Sequence, residues 1–328
     1  MNKASAISNH ILQAAIEAHA SDIHFIPRQQ DIQIFFRCNG SRIYHSSITK
    51  EQYALVLAYY KFAGQMDIGE NRSPQQGALS YAFRTKSYSL RFSTLPVRHN
   101  ESFAIRILPQ QDIQDLQRLF LFHHQFQTVE TWLTMKTGLI LLTGATGSGK
   151  STTLYALLQA FAKNSHKQII TLEDPIEKPL DNIVQVQVNE KAGINYDAGL
   201  KAALRHDPDI LMIGEIRDAQ TAKFAFHAAN TGHLVLSTLH ANHAQGTIHR
   251  LLEMGISSVD IEQNLQAVAS IQLVTLHIRK FAQQRAAILD ILEKQHIIKI
   301  LHDQSFTNPS CFEQLRRKAY AFGYLASI

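Results

Sequence analysis

Three features of the 328-residue sequence point to an α/β protein in two parts, with a parallel sheet in the second. From Gly138 onward, short apolar runs at 139–143, 168–172, 210–213 and 234–238 alternate with helical stretches. That is the pattern of strands covered by helices on both faces. A glycine-rich stretch at 144–151 stands between the first of those runs and a helical segment. Before residue 109, strands come in groups with flanking helices, which suggests a smaller α+β domain.

Taken in order, Ile7, Ile11, Leu12, Ala15 and Ile16 share one face of an opening amphipathic helix. Ser21-Asp22-Ile23-His24-Phe25-Ile26-Pro27 alternates as a strand does, and Ile32, Ile34 and Phe36 continue the alternation to Cys38. Asn39-Gly40 then leads into Arg42-Ile43-Tyr44, a strong hairpin signal between alternating runs. Thr49 and Gln52 form a capping box that opens a helix through Tyr53, Leu57, Tyr60 and Ala63. Strands are expected again over 78–84, 87–94 and 103–108, then a Gln-rich bridge and a helical stretch over 119–132. The expected domains are an N-terminal α+β domain over 1–108, a hinge over 109–118 and a parallel-sheet domain over 119–328. The tail after about residue 281 reads as helical.

Composition sets limits. With 45% hydrophobic and 18% charged residues, the chain has the apolar content for one large core or two smaller ones. A net charge of +5 permits an anionic partner (nucleic acid, nucleotide or membrane surface) without choosing among them. Two cysteines, Cys38 and Cys311, exclude a disulfide framework and a four-cysteine zinc site. No apolar run approaches the roughly 20 residues of a membrane-spanning helix, and the N-terminus is amphipathic, unlike a signal peptide. A cytoplasmic location is the expectation.

Gly144-Ala145-Thr146-Gly147-Ser148-Gly149-Lys150-Ser151 matches G-x-x-x-x-G-K-[ST] in its strand–loop–helix setting. Glycines let the backbone wrap phosphates, so that N–H groups and a helix N-terminus face the anion. Lys150 reaches the β- and γ-phosphates in such loops and Ser151 ligates Mg²⁺. The expected nucleotide-binding set is residues 144–151 with Thr152, the ligands ATP and Mg²⁺.

Such a loop needs carboxylates to hold the metal and orient water. Residues 169–172 run into Glu173-Asp174-Pro175-Ile176-Glu177, and 209–213 run into Gly214-Glu215. Both acidic groups fall at strand carboxyl ends, where ligands bind in open α/β sheets. Glu215 is a candidate to orient or deprotonate water, with Glu173 or Asp174 toward the metal. The spacing does not decide which acid is the base, and solvated loop acids are the alternative. His233 and His240 bracket a strand; phosphate sensing and purely structural roles both stay open, and no partner stands at metal-ligand spacing.

The combination resembles the type II/type IV secretion ATPases. The loop at 144–151, Ile170-Thr171-Leu172-Glu173-Asp174-Pro175-Ile176-Glu177, Arg205-His206-Asp207-Pro208-Asp209-Ile210-Leu211-Met212-Ile213-Gly214-Glu215-Ile216-Arg217-Asp218 and Thr231-Gly232-His233 through His240-Ala241-Asn242 are similar to that family's Walker A, Asp box, Walker B and His box, in order. Upstream, Ala20-Ser21-Asp22-Ile23-His24, Arg72-Ser73-Pro74-Gln75-Gln76-Gly77, and Arg91 to Pro96 with Ala104 to Leu108 resemble its N-terminal domain. The resemblance implies a RecA-like ATPase domain, a PAS-like N-terminal domain and a homo-hexamer. It implies that Arg91 and Arg106 reach the nucleotide's phosphates, and that Glu173, Asp174, Glu177, Glu215, His233 and His240 serve the catalytic site. Two departures narrow it: the long N-terminal docking domain and the four-cysteine insert of larger members are not present in these 328 residues. Ile271-Gln272-Leu273 also stands where Gln-Arg-Leu is usual. A compact form of this kind is similar to the competence ATPases of Gram-positive bacteria. The implied function is a motor for a transformation pseudopilus, acting on an inner-membrane platform protein and indirectly on pseudopilins, at the inner face of the membrane. The alternatives are a DNA-translocating hexameric ATPase and the ATPase of another secretion or pilus system. No helix-turn-helix or RNA-binding aromatic–basic motif favours direct DNA binding.

Overall fold

Apolar residues at period two build the first sheet. In the computed structural model, which describes residues 3–38, 40–98, 100–110, 114–164, 166–189, 193–277, 285–303 and 312–326, the chain divides into two units, Met1–Asp112 and Ile113–Ile328. The first contains α1 (Lys3–Glu17), β1 (Asp22–Pro27), β2 (Ile32–Cys38), β3 (Ser41–Ile48), α2 (Lys50–Ala63), β4 (Gln75–Phe83), β5 (Lys86–Val97) and β6 (Asn100–Gln110). Its sheet runs β3-β2-β1-β6-β5-β4, antiparallel at every pairing. Ile23, Phe25, Ile34, Phe36, Leu90 and Ile105 form one core with Leu12 of α1 and Tyr53 and Tyr60 of α2.

The capping box forms as expected: Gln52 N donates to Thr49 Oγ1 at 3.2 Å, and Thr49 N to Gln52 Oε1 at 3.0 Å. Asn39 of the hairpin lies outside the described residues; Gly40 adopts φ +83°. β3 runs longer than the expected 42–44 because, as an edge strand with mostly exposed side chains, it carries no hydrophobic alternation to read. Inside this unit Lys61 and Glu101 form a buried ion pair, Nζ to Oε2 2.6 Å, and Lys61 also donates to the carbonyl of Glu70 at 2.7 Å.

The second unit contains α3 (Leu116–Leu119), α4 (His123–Trp132), β7 (Gly138–Thr143), α5 (Lys150–Asn164), β8 (Ile169–Glu173), β9 (Val184–Gln187), α6 (Tyr196–Leu204), β10 (Ile210–Ile213), α7 (Ala219–Asn230), β11 (Leu234–Leu239), α8 (Ala244–Glu253), α9 (Ser258–Asn264), β12 (Leu265–Thr275), β13 (Arg285–Glu293), α10 (Lys294–His302) and α11 (Phe312–Ala321). Its sheet order is β13-β12-β7-β11-β10-β8-β9. All neighbours are parallel except β12 and β13. Apolar residues of β7 divide between two cores, Leu139 and Leu141 on one side, Ile140 and Leu142 on the other. Each of the four is at most 1% exposed, and burying such a side chain stabilises by about 1.5–3 kcal/mol. The strand that carries the glycine-rich loop is therefore a rigid floor.

Two expectations are corrected. Of the stretch 119–132, His123–Trp132 is helical as expected, but Leu119 ends α3 and residues 120–122 leave the helix: Leu121 N donates to the carbonyl of Ala287 at 2.8 Å and Phe120 bridges Ala287. The tail after residue 281 is not simply helical: β13 occupies Arg285–Glu293 before α10 and α11. Ala286-Ala287-Ile288-Leu289 has no strand alternation, and a short apolar run cannot be told from buried helix by period. Pairing with β12 decides it. Among the described residues, no helix is long and apolar enough to cross a membrane.

Candidate functional site

Parallel pairing brings four loops to one edge. Thr143 pairs with Leu239, and Ile213 pairs with Ser237 and with Leu172. Strands β7, β8, β10 and β11 therefore end side by side, and the segments following them share the carboxyl rim of the sheet. There they hold Lys150, Asp174, Glu215 and His240, which are far apart in the chain.

The glycine-rich loop is shaped by backbone need. Gly144 has φ +138°, and a Cβ there would sit 2.6 Å from the carbonyl oxygen of Ile271 on β12. Gly147 has φ +79° with open space about its missing Cβ, so conformation rather than packing demands glycine there. Lys150 opens α5 and is 9% exposed; its Nζ donates to the carbonyls of Gly144 and Ala145 at 2.8 and 3.0 Å. Burial lowers the pKa of this ammonium, and the charge of Glu215 acts in the opposite direction. The hydroxyl of Ser148 is buried with no hydrogen-bond partner among the described residues. An orphaned hydroxyl, an ammonium resting on loop carbonyls and a loop in left-handed backbone fit a bound polyphosphate. Ser151 in the first turn of α5, with the nearby carboxylates, offers the hard oxygen donors that Mg²⁺ takes.

The acids separate by environment. Glu173, 4% exposed, is enclosed. It accepts a short hydrogen bond from the Tyr155 phenol, one from Thr171 Oγ1 at 2.6 Å and one from Gln185 Nε2 at 3.0 Å. Both its oxygens accept hydrogen bonds within the protein, as those of metal-ligating carboxylates commonly do. Its arrangement ties β8 to α5 and β9. Burial, then the charge and hydrogen bond of Glu173, push the Tyr155 phenol well above its ordinary range, which keeps it a donor. The same oxygen accepts from Glu177 N at 3.1 Å. Tyr155→Phe keeps the ring and strips a partner from both groups, at about 1–3 kcal/mol per unsatisfied buried group. The expected result is an unfolding free energy lowered by about 1–3 kcal/mol, read as a lower denaturant midpoint at an unchanged slope; an unchanged midpoint removes this role.

Asp174 is exposed at the rim, and Glu177 is likewise exposed. Glu215, directly after Gly214, has Arg217 Nε at 2.8 Å on Oε2 and His240 Nε2 at 3.1 Å on Oε1. Gly214 is where a Walker B aspartate is usual; a Cβ there would stand 3.2 Å from the carbonyl of Leu172, tighter than most such contacts.

His233 is a correction. It precedes the six-residue β11 while His240 follows it, about 23 Å away at the rise of an extended chain. His233 lies at the amino-terminal rim, its Nδ1 3.0 Å from the carbonyl of Ala228 and 3.1 Å from Thr231 Oγ1. Strand polarity puts only His240 with the acids.

Arg91 and Arg106 belong to the first unit. Register places Arg42, Arg37, Asp22, Arg106 and Arg91 opposite one another across five strands, on the sheet face away from the core. Arg106 Nε donates to Asp22 Oδ1 at 3.0 Å. Burial raises the Asp22 carboxyl, but hydrogen bonds from Arg106 and Ser21 outweigh it and hold the group below its ordinary range. Sequence reasoning named the two arginines but missed Asp22, Tyr155 and Arg217 as their neighbours or the acids' neighbours. Tyr155 lies one helical turn from Ser151, yet at that position an aromatic reads as core. Arg217 sits in a loop with no period.

A glycine-rich phosphate loop on a doubly covered parallel sheet, with acids at the carboxyl rim, defines a P-loop nucleotide-binding protein. The profile of the family described as Type II/IV secretion system protein matches residues 2–320, and the chain belongs to that family. It is 40% identical to the competence protein ComGA of Bacillus subtilis, over all of this chain and 97% of that one. With the competence protein ComGA of Halalkalibacterium halodurans it shares 43% identity over 97% of this chain and 95% of the relative. Among solved structures, the pilus retraction motor PilT with bound ADP superposes with a TM-score of 0.75 at 28% identity, covering 96% of this chain and 93% of that one.

Proposed function

We propose that the chain is the motor ATPase of a competence pseudopilus, hydrolysing ATP to ADP and phosphate. The full-length similarity to two competence proteins supports the cellular role, and the observation that carries the chemistry is the convergence of Lys150, Asp174, Glu215 and His240 on one rim. In the reaction, a water oxygen bonds to the γ-phosphorus, the bond from that phosphorus to the β–γ bridging oxygen breaks, and the water proton passes to Glu215. Lys150 and the loop N–H groups bind the phosphates, and the Ser148 hydroxyl gains an acceptor. Ser151 would hold Mg²⁺, which would supply positive charge against the phosphate oxygens. Asp174 and Glu177 contribute negative charge at the rim. Arg91 and Arg106 are the guanidinium groups that the family resemblance assigns to the nucleotide's phosphates, where delocalised positive charge stabilises γ-phosphate charge.

The working form is a homo-hexamer that turns hydrolysis into domain movement. It presses on an inner-membrane platform protein from the cytoplasmic side and so drives pseudopilin addition, with no direct hold on DNA. The test is a cell lacking this chain, complemented with the wild-type or Lys150→Ala form at matched protein level. Transformation returns only with the wild type; full transformation with Lys150→Ala rejects the motor role.

A further inference from the structure

Asp174 follows β8 and Glu215 follows β10, and one side chain touches both. Arg217 donates from Nε to Glu215 Oε2 at 2.8 Å and from Nη1 to Asp174 Oδ2 at 3.4 Å. The other oxygen of Glu215 faces His240 Nε2 at 3.1 Å. Glu215 is thereby gripped on both oxygens, by its own loop and by the loop after the neighbouring strand. The hydrogen bond and charge of Glu215 in turn raise the pKa of Arg217. We propose that Arg217 is the positioning residue of this site: its guanidinium bridges the two acidic motifs and fixes the direction in which Glu215 presents its carboxylate. The inference rests on the reading of Glu215 as the group that orients water.

Two physical points favour positioning over stability. Side chains of Arg217 and Asp174 are 56% and 45% exposed, and ion pairs so exposed contribute about 0–1 kcal/mol. A misplacement of about 1 Å in a reacting group, by contrast, costs about 100-fold in rate. The bridge also needs the planar fork of arginine. Its Nε and Nη1 meet two carboxylates at once, whereas a lysine ammonium is a point charge on a flexible stem.

The experiment compares Arg217→Ala, Arg217→Lys, Glu215→Gln and the double variant Arg217→Ala/Glu215→Gln in the full chain. It reads kcat for ATP hydrolysis, affinity for a fluorescent ADP and the thermal midpoint. Arg217→Ala is expected to lower kcat about 10- to 100-fold, with ADP affinity within about twofold and the midpoint held, because the phosphate loop is untouched. Arg217→Lys recovers part of the loss. The double variant is no slower than Glu215→Gln alone, since Arg217 acts through that carboxylate. An unchanged kcat, a loss matched by an equal fall in midpoint or ADP affinity, or a double variant showing the product of both losses overturns the inference. Hydrolysis that survives Lys150→Ala rejects the site reading and this inference with it. If Lys150→Ala is inactive while Arg217→Ala is normal, the bridge alone is rejected.

Discussion

Lys150→Ala is expected to lower the rate of ATP hydrolysis by at least about 100- to 1,000-fold, the loss seen when one donor to a transition-state oxyanion is removed. Nucleotide affinity falls with it. Hydrogen bonds to charged groups contribute about 1.5–3 kcal/mol, which is about 10- to 150-fold in binding. The fold should not suffer in proportion. Lys150 is buried with its pKa lowered by desolvation, so the ammonium is held there at a cost that its two bonds to the carbonyls of Gly144 and Ala145 offset in part. A thermal midpoint within a few degrees of wild type, beside lost hydrolysis, is the expected pair of measurements. A collapse of the midpoint would mean that Lys150 holds the loop together and that lost activity follows from lost structure.

Glu215→Gln is expected to lower kcat by about 100- to 10,000-fold, the span attributed to a positioned general base. Nucleotide binding is retained, or strengthened by removal of a negative charge that acts on Lys150. Asp174→Asn should cost less, because Asp174 lies further along the Arg217 bridge, at 3.4 Å, and is more exposed than Glu215. Single-turnover hydrolysis of both variants decides which acid takes the proton. A large loss with Asp174→Asn and a small one with Glu215→Gln would reverse the assignment that the sequence left open.

How far the sequence could be read differs by residue, and the reasons are physical. The phosphate loop was legible because glycines with positive φ, a lysine and a serine at fixed offsets are a local requirement. The capping box of α2 and the alternation of β1 and β2 were legible on the same ground. β3 and β13 were not, the first because an exposed edge strand shows no alternation, the second because an apolar run reads alike as strand or helix. Glu173 and Asp174 are neighbours in sequence with different environments. One is enclosed by Tyr155, Thr171 and Gln185, the other is open at the rim, and only packing separates them.

The sequence by itself determined an α/β chain with a phosphate loop and two acidic segments at strand ends, together with a resemblance that the family match upholds. Tertiary structure alone decided that His240 joins the acids while His233 does not, that Glu173 is enclosed by Tyr155, Thr171 and Gln185, and that Arg217 spans Asp174 and Glu215. Period, turn chemistry and motif spacing act over a few residues and are written along the chain. Which loops meet depends on strand order and polarity, and whether a carboxylate is free depends on donors far away in sequence.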